Sequence, residues 1–598
     1  MKSRDITEDI FSAGCIKRLT VLVTCMCVIG LALMVRLADV MLVRGKQYND
    51  KAVSLWERER SIKAKRGIIY DRNGVVLASN KPVCSISVIH SQIEDSEQII
   101  DILSDKLSLD REYVEKRVYK ISSREKIKSN VDKVVADEIR ELNLPGVMVD
   151  EDYKRYYPYD TLASKIIGFT GGDNQGVVGL EVYYDDMLMG TPGSINTVTD
   201  ARGREIPGVA ENRINPIPGN NLITTIDINI QKYIEQEALT VLKKKNAKRV
   251  CIIVMNPQNG EIYGLTDVPE YNLNEPFSLN YTVEEGTEVT QDMLNSMWRC
   301  FPVCDTYEPG STFKIVTSTA AFEAGVLHVD DGFYCPGYKI VEDRKIRCHK
   351  TAGHGQETFR EGIMNSCNPV FMTVGERVGV DGFYENLQTL GLFDKTGVDI
   401  TGEANSIFHK KENVGPVELA TMTFGQSFQI TPLQLMRAVA CVINGGTLVT
   451  PHFGLYETDN NNNIIRKLEY SHLDSVISKE TSDTMKSLLH DVVEEGTGHR
   501  AFIEGFSIGG KTATSEKLPR RSGKYISSFI GFAPADNPQV LTLILIDEPE
   551  GVYYGGTIAA PVVGKIYENI LPYLGIDKEM EETDEDGTEV LYIDDTVF

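Results

Sequence analysis

The chain has 598 residues, of which 42% are hydrophobic and 25% charged, ordinary values for a globular protein with a large core. At about 150 residues per domain, this length indicates roughly two to four domains. The formal net charge of -24 argues against a protein that binds nucleic acid, which would present basic faces. Eleven cysteines in so long a chain do not indicate a disulfide scaffold.

The apolar stretch 19–35, which continues to residue 43 past Arg36 and Asp39, predicts a membrane anchor. Roughly twenty such residues span a bilayer as a helix. A cleaved signal peptide is the alternative, but it would have a shorter apolar core and a small-x-small cleavage site. We therefore expect a cytoplasmic tail at 1–18 and an uncleaved anchor at 19–43. Basic residues flank both ends, so charge alone does not decide the orientation.

A mixed segment without a nucleophile–base pairing follows the anchor and extends to residue 215. Asp-Arg-Asn-Gly at 71–74, between two β-rich runs, predicts a hairpin. Apolar residues at helical spacing predict short helices within 98–142. The segment 44–215 is best interpreted as a spacer or pedestal of mixed α/β structure.

From residue 216 onward, strands at both ends enclose a series of helices. This order predicts an α+β domain in which helices cover an antiparallel sheet. The predicted strands are 220–227, 249–256, 261–267, 507–514, 527–533 and 540–547. The predicted helices are 228–244, 311–324, 359–378, 432–444 and 479–495.

The sequence Ser311-Thr312-Phe313-Lys314 follows a Pro-Gly turn and contains a possible nucleophile with its base. Residues three apart lie on the same face of a helix. A serine hydroxyl needs a base within hydrogen-bond reach, and a lysine can serve when burial lowers its pKa. The backbone N–H groups of a helix N-terminus can also stabilise an oxyanion. Alone, this motif is common on surface helices.

Two further motifs follow in order, Ser366-Cys367-Asn368 and Lys511-Thr512-Ala513-Thr514. Together the three are similar to the Ser-x-x-Lys, Ser-Asp-Asn and Lys-Thr-Gly set of serine β-lactamases and penicillin-binding proteins. Nearly the whole chain resembles the class B, monofunctional penicillin-binding proteins, the peptidoglycan D,D-transpeptidases of division and stage V sporulation. The stretches 66–78, 155–158, 176–181, 431–434, 444–446 and 496–497 also match that family.

The resemblance implies a penicillin-binding, serine β-lactamase-like transpeptidase domain (216–575) on an elongated pedestal (44–215), with an acidic disordered tail at 576–598. It implies a single membrane anchor with the catalytic domain outside the cytoplasmic membrane. The substrates would be peptidoglycan stem peptides and the inhibitors β-lactams. Expected partners are a membrane glycan polymerase and division or sporulation proteins, and catalysis would require no cofactor.

The resemblance also assigns roles to individual residues. Ser311 would be the acylated nucleophile and Lys314 its base, while Ser366 would relay a proton to the leaving amine. Asn368 would hold both the substrate amide and the Lys314 side chain. Lys511, Thr512 and Thr514 would bind the terminal carboxylate, and the N–H groups of Ser311 and Thr514 would form the oxyanion hole.

Two residues depart from the family pattern. Cys367 replaces the aspartate of the second motif. The family tolerates this change, because only the flanking Ser366 and Asn368 carry the motif's catalytic role. Ala513 replaces a glycine that lets a ligand approach the strand backbone. A methyl group is the smallest possible intrusion, so we expect activity to persist and the fit of bulky β-lactams to change.

Cys335, Cys348, His354 and Cys367 predict a possible structural zinc site, because tetrahedral zinc accepts a Cys₃His set. Their spacing matches no compact zinc-finger pattern. Buried free thiols or a Cys335–Cys348 disulfide are the alternatives. Other candidate ligands are Cys300, Cys304 and His349.

Three rival functions remain for the whole chain. A serine β-lactamase or a β-lactam sensor shares the chemistry but does not explain a long pedestal. A bifunctional enzyme would need a glycosyltransferase domain, for which the segment 45–213 is too short. A catalytically weak wall-assembly scaffold is the alternative from another class, although all the catalytic side chains are present.

Overall fold

The computed structural model describes residues 13–48, 57–122, 124–198, 212–284, 286–578, 582–583 and 589–590. Contacts divide the chain into two compact units. The first contains Met1–Ala64, Pro82–Tyr153 and Thr191–Ile217, and the second Lys65–Lys81, Lys154–Gly190 and Pro218–Phe598. The units alternate along the sequence, whereas the predicted domain assignment has one boundary between residues 215 and 216. Most of the predicted acidic tail and the start of the predicted cytoplasmic tail lie outside the described residues.

An apolar helix, Ala13–Ala38, lies near the N-terminus and continues as a π-helical turn, Asp39–Val43. The stretch Ile16–Val43 has 28 residues, and none of its most apolar part is buried in the protein. Among the described helices it alone is long and apolar enough to cross a membrane. This agrees with the predicted anchor at 19–43, although the helix begins earlier.

The first unit is built on a sheet covered by helices. Strand Val76–Val88 enters this unit at Pro82 and pairs antiparallel with Glu125–Asp132. Apolar side chains of the strands and helices form one core, including Ile86, Leu103 and Val114. The short helices predicted within 98–142 are confirmed, but strand Glu125–Asp132 between them was not predicted. The helices are Ser96–Leu107, Arg111–Val118 and Lys133–Glu141; the remaining strands are Val147–Tyr156, Glu57–Ile62, Gly193–Val198 and Asn212–Ile214.

A five-stranded antiparallel sheet forms the centre of the second unit. Its strands follow the order Ile262–Val268, Arg249–Met255, Val540–Asp547, Tyr525–Ala533 and Gly509–Glu516. Alternate residues of Arg249–Met255 lie in two separate cores, because successive side chains of a strand point to opposite faces. Both faces are therefore covered; the sequence predicted helices on the sheet without saying on how many faces. Gly509–Glu516, which we call the edge strand, is outermost in the sheet.

Helices cover the two faces of this sheet. Ile228–Lys245 and Ala560–Tyr573 contribute to one core. Lys314–Glu323, Pro432–Ile443 and Lys479–Glu494 contribute to the other. The helix predicted at 359–378 is in fact two, Phe359–Met364 and Asn368–Thr389, and the second is interrupted at Gly379. Shorter helices are Ser164–Ile167, Gly179–Tyr183, Asp185–Leu188, Gln291–Trp298, Phe301–Cys304, Pro416–Met422 and Gly555–Ile558.

A second sheet in this unit contains the predicted hairpin at 71–74. Ile69–Tyr70 pairs antiparallel with the start of Val76–Val88 and parallel with Asn221–Thr224. Gly454–Thr458 and Ile464–Lys467 continue the sheet. The predicted strand at 220–227 is therefore confirmed but shorter.

Three segments of the second unit meet at one buried carboxylate, that of Glu181. Its two oxygens accept hydrogen bonds from Arg66 Nε and Arg155 Nε, both at 2.6 Å. The three side chains are 0–2% exposed. Arg66 also bonds Asp185 at 2.6 Å, and the Tyr157 hydroxyl donates to Glu181 at 3.2 Å. Glu181 thus joins the stretches around residues 66, 155 and 181, for which the sequence predicted only a pedestal role.

Candidate active site

Ser311 lies in a 3₁₀ turn, Gly310–Phe313, directly before the helix Lys314–Glu323. The α-helix therefore begins at Lys314, not at Ser311 as predicted. A 3₁₀ turn has three residues per turn, so positions 311 and 314 still share a face. Gly310 has a φ of +60°, and a Cβ there would lie 2.2 Å from Ser515 Oγ. Only glycine fits at this approach of the turn to the edge strand.

Lys314 is fully buried and joins the first motif to the second. Its Nζ donates to the Ser366 carbonyl at 2.7 Å, to Ser366 Oγ at 3.2 Å and to Asn368 Oδ1 at 2.9 Å. Burial lowers the pKa of Lys314 to about 8. Within the described residues, the Ser311 hydroxyl makes no hydrogen bond. The base is thus held by the second motif, and the half-buried nucleophile lies three residues before it on the 3₁₀ turn.

The second motif forms the link between helices Phe359–Met364 and Asn368–Thr389. Ser366 has a φ of +54°, a conformation rare for serine and common at functional sites. Asn368 begins the second helix, and its Nδ2 donates to the Arg347 carbonyl at 3.2 Å. Cys367, between them, is fully buried. Ser366 and Asn368 therefore both hydrogen-bond Lys314.

The edge strand carries the third motif. Lys511 is fully buried, and its Nζ donates to the Thr512 carbonyl at 3.3 Å. Burial, followed by the neighbouring Lys314, lowers the pKa of Lys511 well below its usual value. Thr512 Oγ1 donates to Thr497 Oγ1 at 3.1 Å, and Thr514 Oγ1 accepts from the Gly555 N–H at 2.9 Å. In this structure both threonine hydroxyls predicted to bind substrate already bond to protein groups.

Ala513 lies on the side of the edge strand that approaches the nucleophile turn. Its side chain is 3% exposed, and a Cβ built on Gly310 would lie 3.5 Å from the Ala513 Cβ. The methyl group that replaces the family's glycine therefore narrows the space between strand and turn.

Four residues to which the sequence reasoning gave no role, Glu308, Gly425, Ser427 and Arg520, hold the nucleophile turn. The Gly310 N–H donates to the Gly425 carbonyl at 3.0 Å. The carboxylate of Glu308 accepts from the Ser427 N–H at 2.9 Å and from Arg520 Nη2 at 2.7 Å. The only feature of the sequence that could have indicated these contacts was the position of Glu308, just before the Pro-Gly turn.

Cys335, Cys348, His354 and Cys367 come together, as the predicted metal site requires. Their ligand atoms all lie within 4.8 Å of one another, and the three thiols are buried. Cys348 Sγ is 3.8 Å from His354 Nδ1. The alternative Cys335–Cys348 disulfide is not formed, since both cysteines are free. Cys335 ends strand Gly332–Cys335, which pairs with Gly355–Thr358, and Cys348 follows strand Arg344–Arg347, which pairs with Tyr338–Val341; Cys367 lies between two helices.

The residues around this cluster fit a cation. One oxygen of the buried Glu357 carboxylate has no hydrogen-bond partner in the described residues and lies 3.9 Å from His354 Nδ1. Among the alternative ligands, His349 Nδ1 lies 3.8 Å from Cys348 Sγ, beside the cluster. Cys300 and Cys304 are not part of it. Three thiols and an imidazole at these separations match the donor set of tetrahedral zinc.

Comparison with protein families gives two matches. Residues 250–568 match the penicillin-binding protein transpeptidase domain, and residues 61–224 the penicillin-binding protein dimerisation domain. The chain is 39% identical over 552 residues to Stage V sporulation protein D of Bacillus subtilis, covering 90% of this chain and 83% of that protein. It is 29% identical over 535 residues to a probable peptidoglycan D,D-transpeptidase of Neisseria gonorrhoeae, covering 87% and 86% of the two chains.

Solved structures support the same fold. Penicillin Binding Protein 2X from Streptococcus thermophilus aligns with a TM-score of 0.71 at 21% identity, covering 87% of this chain and 81% of that one. A peptidoglycan synthetase from Bifidobacterium adolescentis also aligns with a TM-score of 0.71, at 22% identity, covering 90% and 100%. The predicted α+β transpeptidase-like fold is confirmed.

Proposed function

This chain belongs to the penicillin-binding proteins with a transpeptidase domain, and we propose that it cross-links peptidoglycan stem peptides in septal or spore wall through a serine acyl-enzyme. The observation that carries the proposal is the buried Lys314, which hydrogen-bonds both Ser366 and Asn368. A base held by the second motif next to a serine on a tight turn is the arrangement that acyl transfer needs. The relatives named as D,D-transpeptidases, and one as a sporulation protein, support it.

In the first half-reaction, Ser311 Oγ attacks the carbonyl carbon between two D-alanines, and neutral Lys314 takes its proton. The backbone N–H groups of Ser311 and Thr514 stabilise the developing oxyanion. Ser366, hydrogen-bonded to Lys314, passes a proton to the leaving nitrogen. The products are an ester on Ser311 and free D-alanine.

In the second half-reaction, an amine on a neighbouring strand attacks this ester. A new amide forms, the ester C–O bond breaks, and the amine's proton returns to Ser311 through Lys314. The terminal carboxylate of the donor is bound earlier by Lys511, whose charged form an anion stabilises. Thr512 and Thr514 exchange their present partners for the carboxylate when substrate enters.

Labelling with a fluorescent penicillin tests this mechanism on the full chain in detergent. We expect an adduct on Ser311, located by mass spectrometry, that is absent from Ser311→Ala. Ser318→Ala is the matched control, because Ser318 lies on the following helix and its hydroxyl donates to the Lys314 carbonyl at 2.7 Å, its one hydrogen bond within the described part of the chain. A second probe, a thioester donor, detects acyl transfer if Ala513 excludes the drug.

Three outcomes would count against the proposal. An adduct on another residue would refute Ser311 as nucleophile. Neither adduct nor thioester turnover would favour the wall-assembly scaffold. Rapid release of hydrolysed penicillin, without cross-linking of a stem peptide, would favour the β-lactamase-related alternative.

We further propose that Ile16–Val43 anchors the protein in the cytoplasmic membrane once, with the catalytic domain outside and a membrane glycan polymerase as partner. An uncovered apolar helix of 28 residues supports the anchor, and a wall substrate requires the outer side. Protease added to intact spheroplasts should digest the catalytic domain. Digestion only after the spheroplasts are broken open would show that the catalytic domain lies on the cytoplasmic side, the opposite of the proposed orientation.

We also propose that Cys335, Cys348, His354 and Cys367 bind one structural zinc ion, and that catalysis itself requires no cofactor. Zinc would hold Cys367, and with it the flanking Ser366 and Asn368. Asn368 is tied to the same region a second time, because its amide donates to the carbonyl of Arg347, the residue before Cys348. The ion would therefore fix the partners of Lys314 without taking part in a step.

Metal analysis of full chain purified without chelators should find one zinc per chain. Cys335→Ser should lose the metal, because Cys335 is a proposed ligand, and should therefore slow acylation by penicillin. Cys335 is chosen because it is remote in sequence from the catalytic motif, so the substitution does not alter the motif itself. Cys304→Ser is the control, because Cys304 lies outside the cluster, 4.0 Å from the Thr401 carbonyl. A wild-type protein without stoichiometric zinc would refute the proposed metal site. Loss of zinc in His349→Ala would identify His349, in place of His354, as the histidine ligand.

A further inference from the structure

A two-stranded hairpin lies next to the second catalytic motif. Its strands are Tyr338–Val341 and Arg344–Arg347, and we call it the cationic hairpin. The Arg347 carbonyl accepts a hydrogen bond from Asn368 Nδ2 at 3.2 Å, and Asn368 Oδ1 accepts one from Lys314 Nζ at 2.9 Å. Two hydrogen bonds through one side chain therefore connect the hairpin to the catalytic base.

One face of the cationic hairpin packs on the protein. Val341 and Ile346, from the two strands, lie in one small core. Lys339 points the same way, since its Nζ donates to Glu376 Oε2 on helix Asn368–Thr389 at 2.6 Å. Successive side chains of a strand point to opposite faces, so the intervening side chains of both strands point away from this helix.

The outward face carries Tyr338, Ile340, Lys345 and Arg347. Tyr338 lies opposite Arg347, and Ile340 lies opposite Lys345. Ile340 is 62% exposed, and Lys345 Nζ lies 3.6 Å from the centre of the Tyr338 ring. Both cations are exposed, and neither has a carboxylate partner within the described residues. This face thus offers two positive charges beside aromatic and aliphatic surface.

The positive charge of this face contrasts with the rest of the molecule. The formal net charge of the chain is -24, so the protein as a whole repels an anionic peptide. The hairpin's own acids, Glu342 and Asp343, lie in the turn between the strands, at the opposite end from Arg347. The outward face is therefore a local site of attraction for an anionic peptide.

The nucleophile turn and the base contact different elements, and the next step rests on the proposed function. Gly310 approaches the edge strand, which takes the donor, whereas Lys314 contacts Asn368 and through it the cationic hairpin. After acylation, the acceptor amine must reach the ester on Ser311 while the donor stays in place, so the two stems need separate elements. An acceptor stem is a peptide that ends in a carboxylate, and arginine and lysine bind carboxylates through charge-assisted hydrogen bonds.

We propose that the outward face of the cationic hairpin binds the acceptor stem peptide. Arg347 and Lys345 donate hydrogen bonds to its terminal carboxylate, and Tyr338 and Ile340 pack on its apolar atoms. An extended peptide spans about 3.3–3.6 Å per residue, so an acceptor held here by its terminus needs only a few residues to bring its amine to the ester. Holding the amine near the ester favours its attack over that of water.

The test measures how the acyl-enzyme divides between cross-linking and hydrolysis. The full chain in detergent is acylated by a thioester donor in the presence of one of two synthetic acceptor peptides. The two have the same amine side chain, and one ends in a carboxylate and the other in a carboxamide. At low acceptor concentration, the ratio of amide product to hydrolysed product gives the relative rate constant of each acceptor, whatever the rate of acylation. We expect the carboxylate acceptor to be about tenfold better in the wild type, the usual size of one charged hydrogen bond.

Arg347→Gln and Lys345→Gln should each lower this preference to about threefold. Lys345, three residues before Cys348, keeps the test valid if Arg347→Gln disturbs the proposed metal site. Arg344→Gln is the matched control and should keep the wild-type preference, because Arg344 lies on the same strand but opposite Val341, on the inward face.

The outcomes separate this inference from the proposed function. A wild-type preference near one, an unchanged preference in Lys345→Gln, or an equal drop in Arg344→Gln overturns the inference. Amide product in those cases still supports the proposed function. Absence of amide product from both acceptors overturns the inference and the proposed cross-linking together.

Discussion

The buried carboxylate of Glu181 offers a direct test of what holds the second unit together. Glu181→Gln preserves the shape of the side chain but removes the charge between two buried guanidinium groups. Arg66 keeps its bond to Asp185 at 2.6 Å, whereas Arg155 has no other carboxylate partner in the described residues. Arg155 is thus left as a buried cation without an anion.

The expected magnitude follows from this geometry. Removing one partner of a buried ion pair costs about 3–5 kcal/mol, since the remaining charge stays desolvated. Each 1.4 kcal/mol is a factor of about ten in an equilibrium constant. Local opening of Lys65–Lys81 and Lys154–Gly190 should therefore become roughly two to three and a half orders of magnitude more frequent.

Amide hydrogen exchange, followed by mass spectrometry on the full chain, measures this opening segment by segment. The method is preferable to a melting curve, because a chain with several domains does not unfold in two states. Asp483→Asn is the control: it breaks the surface pairs of Asp483 with Lys479 and Lys486, each of which contributes at most about 1 kcal/mol. If the two segments exchange in Glu181→Gln at nearly the wild-type rate, the carboxylate does not hold them.

Three further perturbations probe the reaction site itself. Burial lowers the pKa of Lys314 to about 8, and only the neutral amine accepts a proton, so penicillin acylation should slow roughly 50-fold from pH 8 to pH 6; a flat profile would contradict this role. Ala513→Gly widens the gap beside the turn, so acylation by bulky β-lactams should accelerate about three- to tenfold, and by small ones less. Arg520→Met removes the cation that bonds the Glu308 carboxylate and should slow acylation roughly tenfold. Lys524 lies in the same link, between the edge strand and Tyr525–Ala533. An equal loss of acylation rate in Lys524→Met would mean that this link acts as a whole.

The sequence was informative where function depends on local spacing. Ser311 and Lys314 share a face whether the turn is α or 3₁₀, and Gly310 signals a special backbone. The central strands Arg249–Met255 and Val540–Asp547 were predicted because buried strands carry long apolar runs. These features are set by neighbours in sequence.

What the sequence could not predict depends on contacts between distant residues. Glu308 meets Ser427 and Arg520 only after folding, so nothing near position 308 identifies its partners. The same holds for Glu181, whose arginines lie 115 and 26 residues away. The split of the predicted helix at 359–378 also has a tertiary cause, because Ser366 leaves helical geometry where its carbonyl and hydroxyl bond Lys314.

Position 367 can hold a cysteine in place of the aspartate because its two neighbours, and not its own side chain, contact Lys314. Ser366 and Asn368 both hydrogen-bond Lys314, while the Cys367 sulfur lies with Cys335, Cys348 and His354. The middle residue of the motif therefore makes no contact that the reaction needs, and its identity can change. The Cys367 thiol thus lies near the strand pair Tyr338–Val341 and Arg344–Arg347. The carbonyl of Arg347, at the end of that pair, also accepts a hydrogen bond from the Asn368 amide. The hydrogen bond from the Asn368 amide to the Arg347 carbonyl thus restrains one of the groups that hold the buried base, and the proposed zinc at Cys367 would add a second restraint.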